Sequence, residues 1–218
     1  RLVQPGRPDP SSQGLGMNLG QVRHWVFDMD GTLTVAAHDF AAIRVKLGIP
    51  PKDDILAHLA ALPADEAAAK HAWLLEHERH LALASKAAQG AVELVRELAS
   101  RGCQLGILTR NARELAHITL QAIGLADCFP VAHILGRDEA QPKPSPDGLL
   151  KIAGTWGVAP QAMVMVGDHR FDLDCGRAAG AGTVLVNQPH DAWPGLADRH
   201  APDCHALKRM LGLSLIHI

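Results

Sequence analysis

Five short apolar runs limit what this 218-residue chain can become. His24–Phe27, Gln104–Leu108, Ala132–Leu135, Met163–Val166 and Thr183–Val186 are four or five residues long, the length of buried strands and too short for helices. Helix-periodic segments lie between most of them. A strand that returns through a helix pairs in parallel with its neighbour, and the helices cover both faces of the resulting sheet. The expected fold class is α/β, with a mostly parallel sheet in the middle of three layers.

The helical segments carry their own start and stop signals. Ala91–Ala99 repeats apolar residues at helical spacing and stops at Arg101-Gly102, a basic last turn followed by a C-terminal glycine. Ser145-Pro146-Asp147 reads as a helix start, with Ser145 as cap, Pro146 at the first position and Asp147 near the positive end of the helix dipole. Between Thr32 and about Gln89 no strand pattern occurs. Three helical stretches, Asp39–Leu47, Asp53–Leu62 and Ala64–Ala84, predict an all-helical insertion directly after the first strand. Open α/β sheets bind ligands at that edge, so the insertion is expected to act as a lid. The expected organisation is a loose tail over 1–20, a core built from 21–34 and 90–213, and a helical cap over 35–89. Arg1–Gly20 is too poor in apolar residues to offset the entropy of ordering, and with Met17 further in, residues 1–16 read as upstream sequence.

Composition narrows the functional classes. Hydrophobic residues make up 47% and charged residues 20%, an ordinary globular balance. A formal charge of −2 supplies no positive field for a polyanion, so nucleic acid is not an expected partner. Cys103, Cys128, Cys175 and Cys204 form no Cys-x-x-Cys pair and read as packed thiols. Neither a membrane span nor the apolar core of a secretory signal is evident, and the expected setting is cytoplasmic, as a monomer or homodimer.

The chemistry gathers where the apolar runs end. Asp28 and Asp30 stand two residues apart after the first run, and a break at Gly31 lets both carboxylates enter one crevice. One carboxylate can attack phosphorus while the other moves protons. Asp168 and Asp172 follow another run, and parallel strands end on the same side. Four acids beside a phosphate dianion repel, which calls for a hard cation with oxygen ligands: Mg²⁺. Thr109, Arg110 and Asn111 end the second run and offer a hydroxyl and backbone N–H groups to phosphate oxygens. Lys143, between Pro142 and Pro144, is a cation on an extended, stiff mount. Alone, each feature also fits an ordinary turn, helix cap or solvated side chain.

Together, Asp28-Met29-Asp30-Gly31-Thr32, Thr109, Lys143 and Gly167-Asp168-x-x-x-Asp172 resemble the four motifs of the haloacid dehalogenase-like hydrolase superfamily. The resemblance spans residues 25–187 and includes a small helical cap like that of the phosphoglycolate phosphatase-like branch. It implies a Rossmann-like core with the first strand central and Asp28 as the residue phosphorylated. It further implies Mg²⁺ held by the Asp28 side chain, the Asp30 carbonyl and Asp168, with Asp172 in support.

Asp30 separates the chemistries within the superfamily, since a departing halide needs no proton and a departing alkoxide does. The expectation is a phosphatase acting on a small phosphorylated metabolite. A phosphomutase and a non-catalytic phospho-ligand binder remain as alternatives. For substrate reading, His38, Asp39, Arg44 and Arg110 stand nearest the motifs. Arg44 or Arg110 is expected to grip a second anion on the substrate. His77 and His80, at i and i+3, also have the spacing of a metal pair, although a solvated helix face is the plainer reading.

Overall fold

A computed structural model of the chain describes residues 17–190 and 192–212. Six parallel strands form one sheet: β1 (His24–Phe27), β2 (Gln104–Leu108), β3 (Ile134–Leu135), β4 (Met163–Gly167), β5 (Gly182–Val186) and β6 (Arg199–Ala201). Their order is β3-β2-β1-β4-β5-β6, so β1 lies centrally and the chain reverses direction across the sheet between β1 and β4. That reversal opens a crevice beyond the strands' carboxyl ends.

Alternation along the strands sets the layers. Trp25, Phe27, Val164 and Val166 pack into one core, together with residues of α4 (Ala91–Ser100), α5 (Arg113–Ala122) and α8 (Cys204–Gly212). Val26, Met163 and Met165 face the opposite core, against α6 (Asp147–Trp156) and α7 (Arg170–Ala179). Trp25 and Phe27 are fully buried, and at roughly 1.5–3 kcal/mol per large side chain such burial is the main drive to fold. The three-layer α/β expectation is met.

The insertion comprises α1 (Phe40–Leu47), α2 (Ile55–Ala60) and α3 (Ala64–Leu83). Asp39 and Asp54 cap α1 and α2 through their carboxylates, which accept from the Ala42 and Ala57 N–H groups at 3.0 and 2.9 Å. Ile43, Leu47, Ile49, Leu59 and Leu74 give these helices a core of their own.

Several local expectations need correction. Residues 17–20, read as loose tail, are ordered: Asn18 caps a short 3₁₀ turn at Leu19–Gln21, Leu19 is buried, and Arg199 donates to the Met17 carbonyl. Residues 1–16 and 213–218 lie outside the described residues. Ala132 and His133 form a 3₁₀ turn, leaving β3 only two residues long. β6 was not foreseen, because Arg199-His200-Ala201 lacks an apolar run. Helix α6 starts at Asp147 with Pro146 at the cap position, and Ser145 Oγ accepts from the Asp147 N–H at 3.3 Å. All four cysteines are free thiols; Cys175 and Cys204 are buried, the others half-buried. Among the described residues no helix is long and apolar enough to cross a membrane.

Leu94 on α4 is fully buried beneath the central strands. Leu94→Ala is expected to lower the unfolding free energy by about 2–5 kcal/mol, read from urea denaturation.

Candidate active site

The strand ends deliver the site residues as their order dictates. Asp28 extends β1 by one residue, its N–H donating to the Val166 carbonyl at 2.9 Å. The chain then folds tightly over the Met29 carbonyl, which accepts from the N–H groups of Thr32, Leu33 and Thr34. Gly31 sits at φ +80°, and a Cβ there would collide with the Asp168 carboxylate, so no other residue fits. Gly167 has the same role on β4, where a side chain would strike Asp172. The loop is also held by Asn187, which adopts a left-handed φ of +60° just after β5. Its Nδ2 donates to the Gly31 and Thr32 carbonyls at 2.8 and 3.1 Å. Asn187 was missed from sequence, although an asparagine closing a strand is a recognisable left-handed turn signal.

Carboxylate oxygens of Asp28, Asp168 and Asp172 lie within 4.8 Å of one another. Lys143 Nζ stands among them and spends its three donors on Asp28 Oδ1 (2.7 Å), Asp172 Oδ1 (2.8 Å) and the Leu108 carbonyl (2.7 Å). Burial by itself would lower the lysine's pKa, but Asp172 and Asp28 outweigh it, so the ammonium is held charged. One cation does not balance three acids. Burial, followed by repulsion from Asp28 and Asp172, pushes Asp168 up to about 8. Asp172 rises to about 6, with burial and Asp28 as the leading causes and Lys143 opposing them. The remaining oxygen of Asp172 accepts the His169 N–H at 3.0 Å. His169 rather than Asp168 caps α7, its Nδ1 accepting from the Phe171 N–H at 3.1 Å.

Thr109 is buried after β2, and its Oγ1 accepts from the Asn111 N–H at 3.1 Å. Helix α5 starts only at Arg113, so Thr109 and Asn111 belong to the loop before it and Thr109 does not cap it. Thr32 Oγ1 lies 3.0 Å from Asp168 and 3.3 Å from Asp28, a hydroxyl shared between two acids. Asp30 is bonded apart from these three acids: its Oδ1 accepts from the Ala37 N–H at 3.2 Å, and its Oδ2 lies 2.9 Å from His38 Nδ1. That last contact is close enough for charge attraction but off the line of a hydrogen bond, and both His38 ring nitrogens are buried without an aligned partner. Burial opposes charge on His38, yet Asp30, Glu78 and Asp28 together raise its pKa.

Above the acids lies a cavity of about 400 Å³, shared by strand-end loops and insertion. It brings together Asp28, Asp30, Arg44, Thr109, Arg110, Asn111, Lys143, Asp168 and Asp172; Asp39 is not among its lining residues. Arg110 Nη2 reaches Asp54 Oδ2 at 2.5 Å, and the guanidinium lies over the Phe171 ring at 5.0 Å. Arg137, not foreseen from sequence, donates to both oxygens of Glu78 on α3 at 3.2 and 3.0 Å. Burial raises the Glu78 pKa while Arg137 and His38 pull it back. On the outer helix, His77 stacks on Trp73 and His80 Nδ1 lies 2.8 Å from the Glu76 carbonyl, so the two histidines have separate surroundings.

A family model described as haloacid dehalogenase-like hydrolase matches residues 22–180. A haloacid dehalogenase-like hydrolase domain-containing protein of Arabidopsis thaliana is 34% identical over 180 residues, covering 77% of this chain and 72% of that protein. The phosphoglycolate phosphatase of Escherichia coli O157:H7 is 31% identical over 166 residues, 72% of this chain; the match spans 60% of that enzyme's length. A solved hydrolase from Pseudomonas syringae shares the fold with a TM-score of 0.72 at 23% identity, covering 90% of this chain and all (100%) of that one.

The crowded acids make stability depend on pH with a definite sign. Raised pKa values mean that Asp168 and Asp172 bind more protons in the metal-free folded chain than in the unfolded one from about pH 4 up to about pH 8, so their contribution to stability falls as pH rises through that window. The Lys143 contribution is constant there, being lost only above the ordinary lysine range. Urea unfolding in chelator is expected to show a lower stability at pH 8 than at pH 5, with added Mg²⁺ stabilising more at pH 8.

Proposed function

Because the chain belongs to the haloacid dehalogenase-like hydrolases, we propose that it is a Mg²⁺-dependent phosphatase acting on a small phosphorylated metabolite, with Asp28 as covalent nucleophile. The observation that carries this reading is the setting of Asp28 under the cavity. Lys143 and Thr32 hold its two oxygens, and Asp168 and Asp172 stand within ligand distance of one another and of it.

The donor set suits a hard divalent ion. Asp28 and Asp168 offer carboxylate oxygens, Asp30 a backbone carbonyl, and Asp172 secures the arrangement through Lys143 and the His169 N–H. Burial first, and then repulsion from Asp28 and Asp172, raises the Asp168 pKa. A bound Mg²⁺ would relieve that repulsion and polarise the phosphoryl group.

The rest is done by the chain's own groups. An Asp28 oxygen attacks phosphorus, the bond to the ester oxygen breaks, and Asp30 protonates the departing alkoxide. Asp30, now a carboxylate, takes a proton from water as that water attacks the aspartyl-phosphate; the bond to Asp28 breaks and phosphate leaves. Ala37 and His38 orient Asp30 for both transfers. Lys143 lowers the repulsion between nucleophile and phosphate, and the Thr109–Asn111 loop supplies donors to phosphoryl oxygens. The helices α1–α3 act as a lid that keeps water from the intermediate, as their share of the cavity wall suggests.

Phosphate release from an aryl phosphate tests the reading. Turnover is expected with Mg²⁺ and not with chelator. Asp28→Asn should remove it, and Asp30→Asn should slow it about 10²–10⁴-fold. Wild-type activity that persists in Asp28→Asn would overturn the mechanism.

A further inference from the structure

Building on the phosphatase reading, we infer that the preferred substrate is a phosphate monoester whose remaining body carries no second negative charge. Beyond the aspartates the cavity is walled by Phe40, Ile43, Ile55, Leu56, Leu74 and Phe171, apolar surface suited to an uncharged body. Two of the three arginines on the cavity wall are already paired with acids of the insertion.

Arg137 holds both oxygens of Glu78, and the two side chains are only 11% and 7% exposed. Arg110 is engaged by Asp54 and lies over Phe171. Arg44, the third, gives only its Nε, to the Asp53 carbonyl at 2.9 Å, and stands beside Asp53 at the cavity wall. Lys52 is exposed at the cavity rim, where water screens its charge. A substrate carboxylate directed at Arg137 or Arg110 would have to displace Glu78 or Asp54 and leave that acid unpaired beside it.

An uncharged oxygen meets no such opposition. Arg110 Nε is buried with no acceptor in the protein, and His38 Nε2 is likewise unpartnered. A hydroxyl, ether or carbonyl oxygen would satisfy such a donor without adding charge. Asp54 and Glu78 both come from the insertion, so the lid itself supplies the groups that exclude a second anion.

Matched esters differing only in the carboxylate test this: 2-hydroxyethyl phosphate against phosphoglycolate, and glycerol 3-phosphate against 3-phosphoglycerate, with Mg²⁺. The wild type should favour the uncharged member of each pair by at least about tenfold in kcat/KM. Glu78→Gln and Asp54→Asn, with folding checked by thermal melting, should each shift that ratio toward the carboxylate ester. Equal or greater activity on the carboxylate esters, or folded variants with unchanged ratios, would overturn the assignment. Should either variant fail to fold, the wild-type ratio alone decides. Failure of the underlying phosphatase reading looks different: no turnover of any of the four esters, or turnover surviving in Asp28→Asn.

Discussion

The structure depends on the crowding of three carboxylates around one ammonium. Asp28, Asp168 and Asp172 converge beneath the cavity, and Lys143 is bonded to two of them. Taking an ammonium to 3% exposure is costly by itself, and the acids make it stable there. Removing the lysine would leave two carboxylates without compensation in low dielectric. Removing an acid would instead loosen the lysine's hold on the other. On the proposed function, the residual negative charge would favour a divalent cation, so folding and ligand binding would draw on the same imbalance.

Backbone geometry lets the acids come so close. Parallel pairing of β1 with β4 in register, Phe27 opposite Val166, brings Asp28 level with Gly167, one residue before Asp168. The remaining space is created by glycine. Gly31 and Gly167 each stand where a Cβ would displace one of the carboxylates, and only Gly31 also needs a positive φ. Asn187 ties the Gly31 loop back to β5, so the position of Asp28 is fixed from three strands.

Much of this was legible in the sequence, and the part that was not has a common cause. Strand β1 and its acidic turn announce themselves, because an apolar run ending in Asp-x-Asp-Gly has few other uses. The same holds for β2, β4 and β5, whose apolar runs are long enough to show. β3 and β6 are two and three residues long, and their pairing comes from neighbours rather than from their own side chains. Asp168 and Asp172 could be assigned to one edge from topology, but which of them met Lys143 depends on side-chain placement. Arg137 and Glu78 lie 59 residues apart and carry no local motif; only the packing of α3 over the loop after β3 makes them a pair.

The contrast between the insertion's interior and its contacts with the core bears on how the two work together. Within the insertion, Ile43, Leu47, Ile49, Leu59 and Leu74 hold the helices by apolar burial, which would be lost entirely if they came apart. Toward the core, Asp54–Arg110, Glu78–Arg137 and Glu114–Arg79 form charge pairs. Separation of such a pair returns both partners to water, which recovers most of the attraction that is lost. Helix α3 also packs along α5, so the insertion is held to the core by side-chain packing as well as by these pairs. On the proposed function, the acids that fasten the insertion to the core, Asp54 and Glu78, also set the charge that a substrate would meet in the cavity.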